Sequence, residues 1–141
     1  MLTVSSNLTF TGGTFVRGGT LRLAGGANGL ATSGNVTISD VAGATLDLNG
    51  RNQQVANLKV GGAAGGQVSL GGATVTVTGG GTLGGTIAGT GTVALTGSAF
   101  AVDGTGRFDG PQTLSVGASF DIIPTRSTVE PTSTMRAGFA L

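Results

Sequence analysis

Few residues in this 141-residue chain can do acid–base or nucleophilic chemistry. It has no histidine and no cysteine. That removes Ser-His-Asp and Cys-His nucleophilic sites, the common zinc sites, and disulfides. Asp103, Arg107 and Asp109 remain as the nearest candidates. Two carboxylates at suitable separation divide the acid and base work of glycoside hydrolysis. The same aspartates read as turn residues, because Asp103-Gly104 and Asp109-Gly110 are turn dipeptides. The turn reading is preferred, so no catalytic residue, no cofactor-binding residue and no metal ligand is expected.

Other spellings of functional motifs fail on context. Gly79-Gly80-Gly81-Thr82-Leu83-Gly84 matches the GxGxxG pattern. A dinucleotide site also needs a helix immediately after it, to aim its N-terminus at pyrophosphate. Gly85-Thr86-Ile87-Ala88-Gly89 follows instead, and it is expected to be a corner and a strand. The lone lysine, Lys59, precedes Val60 rather than Ser or Thr, so there is no phosphate-binding loop of that kind. Tandem Gly-Gly-x-Gly-x-Asp calcium repeats are absent, and no cofactor is expected. Asn7-Leu8-Thr9 and Asn35-Val36-Thr37 are glycosylation sequons by spelling only.

The elements that must carry these residues are strands and turns. There are 29 glycines but 3 prolines, 38% hydrophobic residues and 9% charged ones. That much apolar content, mostly β-branched or Leu, argues against disorder. Thr and Val dominate between the glycines, and both favour strands. Net charge is +1, with no basic stripe, and Trp and Tyr are absent; no nucleic-acid partner is expected. No stretch approaches 18 apolar residues, so the chain is not expected to span a membrane as a helix. Met1-Leu2-Thr3-Val4-Ser5-Ser6 lacks the features of a signal peptide. Any export signal is expected to lie outside this chain.

A short alternation recurs. It is Thr45-Leu46-Asp47-Leu48, with variants at Thr20-Leu21-Arg22-Leu23, Gln67-Val68-Ser69-Leu70, Thr92-Val93-Ala94-Leu95 and Thr113-Leu114-Ser115-Val116. From Leu21 through Leu46, Val68, Val93 and Leu114 the spacings are 25, 22, 25 and 21 residues. Leu2-Thr3-Val4 is an earlier copy. A strand-and-turn repeat of roughly 20 to 25 residues is one coil of a β-solenoid. Alternation puts Leu46 and Leu48 inside and Thr45 and Asp47 outside. Arg22 and Asp47 then share an outer column, as a surface ion pair worth about 0–1 kcal/mol. Second strands are expected at Leu8-Thr9-Phe10, Val36-Thr37-Ile38, residues 55–60, residues 74–78, Phe100-Ala101-Val102 and Phe120-Asp121-Ile122. Thr14-Phe15-Val16 and Thr86-Ile87 are available for a third side, and glycines sit at the corners. The solenoid is expected over 1–123. Residues 124–141, with Pro124 and Pro131, read as an irregular C-terminal cap or a truncated tail.

Two segments carry a family resemblance. Residues 18–28, Gly-Gly-Thr-Leu-Arg-Leu-Ala-Gly-Gly-Ala-Asn, and residues 44–58, which contain Leu46-Asp47-Leu48-Asn49-Gly50 and Gln53, resemble the passenger-associated repeat of bacterial autotransporters. Gly85-Thr86-Ile87-Ala88-Gly89-Thr90-Gly91 resembles a further stretch common there. The resemblance covers roughly residues 12 to 117. It implies an all-β, single-stranded right-handed parallel β-helix of about five to six coils. It also implies a non-catalytic passenger segment, displayed at the bacterial cell surface as a stalk or adhesin-like module. Its expected partners are host or neighbouring-cell surface molecules. The alternatives are a self-associating structural solenoid, with end-to-end contacts, and a polysaccharide-active β-helix enzyme.

Overall fold

The alternating apolar residues do form strands. The computed structural model describes residues 1–97, 100–103, 105–116, 120–122, 128–129 and 134–136, with the backbone alone from 116 onward. Among these residues there are eighteen strands, β1 to β18 in chain order, and no helix.

The strands stack in three parallel sheets, visited in rotation. Face 1 holds β1 (Leu2–Val4), β3 (Thr20–Leu23), β5 (Thr45–Asp47), β8 (Gln67–Ser69), β11 (Thr86–Ala88), β14 (Arg107–Asp109) and β17 (Thr128–Val129). Face 2 holds β6 (Gln53–Val55), β9 (Thr74–Val77), β12 (Gly91–Leu95), β15 (Gln112–Val116) and β18 (Thr134–Arg136). Face 3 holds β2 (Thr14–Val16), β4 (Asn35–Ile38), β7 (Asn57–Val60), β10 (Gly81–Leu83), β13 (Phe100–Val102) and β16 (Phe120–Ile122). From β5 onward each coil therefore runs face 1, face 2, face 3, whereas the first two coils, β1–β2 and β3–β4, carry strands on faces 1 and 3 alone. The fold is an all-β parallel solenoid of about five turns, as the repeat length implied.

The inward columns make one continuous core. Leu46, Val68, Ile87 and Phe108 stack on face 1, and each is at most 1% exposed. Leu58, Leu83, Phe100 and Val102 fill the core side of face 3, and Val75 and Val93 that of face 2. One inward position on face 3 is Gly81, in register between Leu58 and Phe100. A Cβ there would run into the carbonyl oxygen of Leu58, so the chain can approach its neighbour only as glycine.

The register corrects the repeat alignment. Leu2, Leu21, Leu46 and Val68 do share one column, but it continues through Ile87 and Phe108 to Val129. Val93 and Leu114 belong to face 2, with Val75 and Gln53. Two-residue alternation is spelled identically on every face, so it places a residue inside without saying which side it lines. The strand expected over residues 55–60 is two strands, β6 and β7. Val55 is buried, and so are Leu58 and Val60; that break in parity requires a corner between them. Residues 8–10 form no strand; the Leu8 amide instead donates to the Gly29 carbonyl at 2.8 Å.

Of the tail, Pro124 and Pro131 lie outside the described residues. Within it β17 pairs with β14 and β18 with β15, so parallel pairing runs on to Arg136.

Candidate functional site

The residues that could do chemistry are spread over an outer surface. Asp103 sits in the corner after β13. Its Oδ1 accepts from the backbone N–H of Thr105 at 3.0 Å and from the Thr105 hydroxyl at 3.1 Å. The Thr105 hydroxyl also donates to the Gly84 carbonyl, in the preceding coil, at 2.7 Å. Those are the contacts of a turn aspartate. Arg107 and Asp109 lie on the outer side of β14, two residues apart. Their closest approach is 4.0 Å, with both side chains about half exposed.

The GxGxxG spelling resolves into β10 and a corner. Gly84 and Gly85 both donate to the Val60 carbonyl, at 2.8 and 2.7 Å, and β11 follows. Where a dinucleotide site needs a helix, the chain turns onto face 1.

Arg22 and Asp47 pair across adjacent coils as expected, with Nε 3.5 Å from Oδ2. Sequence reading missed the third partner. Asn49 takes a left-handed φ of 52°. Its Oδ1 accepts from Arg22 Nη2 at 2.7 Å, its Nδ2 donates to the Leu23 carbonyl at 3.1 Å, and its own amide donates to Asp47 Oδ1 at 2.9 Å. The Asn-Gly spelling announced a turn but not a clamp between coils. Asn49→Ala is expected to cost roughly 2–3 kcal/mol, part from the left-handed backbone and part from the lost bonds. Asn49→Gly keeps the backbone term and should cost about half as much. Urea denaturation of the two variants separates the contributions.

Other polar side chains tie coil to coil at the corners. Asn28 Oδ1 accepts the Gln54 amide and Asn52 Oδ1 the Thr74 amide, at 2.8 and 2.9 Å. On face 3 Asn57 donates to Asn35 Oδ1 at 2.9 Å and accepts the Gly80 amide at 2.8 Å. Inside, Gln53 is 1% exposed. It accepts the Leu30 amide and donates to the Leu30 carbonyl, both at 3.0 Å. Each satisfies a backbone group that the corner leaves without a strand partner. Gln112, also buried, donates to the Ile87 carbonyl at 2.7 Å.

The outer side of face 2 is a field of hydroxyls. Thr74, Thr92 and Thr113 stand in register on successive coils, beside Thr76, Ala94 and Ser115. The rows are about 4.8 Å apart between coils and about 6.6 Å along each strand. Among the described residues the hydroxyls of Thr74, Thr76, Thr92 and Thr113 make no protein hydrogen bond, which leaves them available to an external partner.

No family model matches the chain, and no solved structure matches it. A stretch of 79 residues, 56% of the chain, is 44% identical to the adhesin BmaC autotransporter of Brucella suis biovar 1 (strain 1330). That stretch is about 2% of the relative's length. Together with three parallel sheets wound into a solenoid, the match fits a passenger β-helix repeat of the autotransporter type.

Proposed function

We propose that this chain is a non-catalytic segment of a surface-displayed passenger, with an adhesin-like role. The solenoid acts by extension and display. Each coil of about 20 residues advances the stack by about 4.8 Å and repeats the same outward positions. The observation that carries this reading is the ordered hydroxyl field of face 2, with Thr74, Thr92 and Thr113 in register and, among the described residues, their hydroxyls without a protein hydrogen bond. Such an array offers donors and acceptors to a polar cell-surface partner at little entropic cost, because stacking has already ordered the side chains. The adhesin name of the similar protein supports the same role. Asp103 is held in its own turn and Asp109 stands beside Arg107, which gives the polysaccharide-cleaving alternative no support.

Beads coated with the purified chain test this on host and bacterial cell surfaces. They should be retained several-fold over uncoated beads. The triple variant Thr76→Lys, Thr92→Lys, Thr113→Lys should return retention to background. No excess retention on any surface would sink the adhesive role. Excess retention untouched by the variant would move contact off face 2.

A further inference from the structure

Two Asn-Gly dipeptides, Asn28-Gly29 and Asn49-Gly50, lie between strands of this chain, and the fold holds them differently. Both asparagines take a left-handed backbone, with φ of 56° at Asn28 and 52° at Asn49. At Asn49 both polar atoms of the side chain and the amide that follows are engaged. Its Nδ2 donates to the Leu23 carbonyl, its Oδ1 accepts from Arg22, and the Gly50 amide donates to the Leu70 carbonyl at 3.3 Å. At Asn28 the oxygen alone is held, by the Gln54 amide at 2.8 Å. Among the described residues, neither Asn28 Nδ2 nor the Gly29 amide has a protein hydrogen bond.

That difference bears on a covalent reaction. The side-chain carbonyl carbon of an asparagine lies within reach of the next backbone nitrogen, and glycine leaves that nitrogen uncrowded. Attack by the Gly29 nitrogen on Asn28 Cγ closes a five-membered imide. The new N–Cγ bond replaces the Cγ–Nδ2 bond, and Nδ2 departs as ammonia with the proton that the Gly29 amide gives up. Water then opens the ring at either carbonyl. The products are aspartate and isoaspartate, the second with the backbone routed through the side-chain carbon, and no oxidant or reductant is needed. The Gln54 N–H points at Oδ1, where negative charge gathers during the attack, and stabilises it. The leaving nitrogen and the attacking nitrogen give up no protein hydrogen bond. At Asn49 the same attack has to break one at each.

We infer that Asn28 is a site of spontaneous deamidation in the folded chain, and that the clamp around Asn49 protects the second Asn-Gly. The location gives the reaction a structural consequence. Asn28 lies in the loop between β3 and β4, which covers the edge of β6 where face 2 has no earlier strand. The Asn28 amide donates to the Asn52 carbonyl at 2.8 Å, and Gln53 bonds both backbone groups of Leu30. An isoaspartate inserts one backbone carbon between these two anchors. They then lose register with each other, and the β6 edge is uncovered. None of this depends on what face 2 binds.

Incubation for weeks in mildly alkaline buffer, followed by peptide mapping with fragment-ion mass spectrometry, tests the inference. Exchange of NH2 for OH marks each event by its mass, and an isoaspartyl methyltransferase labels the isoaspartate product. In the native chain, conversion at Asn28 should be several-fold faster than at Asn49. In the chain unfolded by guanidinium the two rates should converge, because both sites are then Asn-Gly in an open chain. Gly29→Ala crowds the attacking nitrogen at a place where an added Cβ meets only the Leu23 side chain, at 3.5 Å. It should slow conversion at Asn28 several-fold and leave Asn49 as it was. If that variant fails to fold, the comparison of native with unfolded chain decides by itself. Equal native rates or faster reaction at Asn49 overturn the inference. So does a native Asn28 that stays intact while the unfolded chain converts, or a rate that Gly29→Ala leaves unchanged.

Discussion

Leu46→Asp should abolish cooperative folding of the central coils, while Asp47→Leu, one residue along, should leave them intact. Leu46 is 1% exposed and stacked between Leu21 and Val68. Removing a buried leucine side chain costs about 2–5 kcal/mol. Placing a carboxylate there adds the cost of burying a charge or of keeping it protonated. The sum is comparable with the whole stability of a small domain, about 5–15 kcal/mol. Each coil of a solenoid is stabilised through its neighbours, so both flanking coils should loosen as well. Asp47 faces out. Its loss removes a half-exposed ion pair with Arg22 at 3.5 Å, worth about 0–1 kcal/mol, and an acceptor for the Asn49 amide. A cost of about 1 kcal/mol is expected. Circular dichroism against urea measures both variants; equal losses would reject the assignment of inside and outside.

Gln53→Leu is expected to cost roughly 2–5 kcal/mol, although it places an apolar residue of similar size in an apolar core. Gln53 bonds both the amide and the carbonyl of Leu30, in the coil before it. Leu30 is buried and lies where face 2 has no strand, so these backbone groups have no ladder to turn to. Each buried group left unsatisfied costs about 1–3 kcal/mol. Gln54, whose side chain points out, should tolerate alanine within about 0.5 kcal/mol. Native-state hydrogen exchange gives the specific readout. The Leu30 amide should lose protection in Gln53→Leu, while Val68 and Leu70 keep theirs. Unchanged protection at Leu30 would mean that the glutamine is only filling space.

Much of this was legible in the residues. The alternation Thr45-Leu46-Asp47 marked a strand with one side buried, and the recurrence at roughly 20 to 25 residues marked coils of a solenoid. Pairing of Arg22 with Asp47 followed from the same count, since both are the third member of their copies. The corner between Val55 and Leu58 is written in the parity of the apolar residues, which a single strand over residues 55–60 would not break. Gln53 lies within the segment, residues 44–58, that carries the family resemblance, but its role was not visible there. A glutamine at an inward position signals a buried backbone in need of a partner only when the missing strand beside it is known.

Local pattern was therefore enough for the strand content, the inside and the outside of most strands, the glycine corners and the solenoid class. Each of those depends on neighbours within a few residues, where alternation and turn geometry act. The number of faces, the column to which Val93 and Leu114 belong and the clamp at Asn49 were decided only in three dimensions. They depend on how many residues each corner consumes, and a difference of a few residues per coil shifts a strand from one face to the next while leaving its alternation unchanged. Hydrogen bonding between coils about 20 residues apart selects that register.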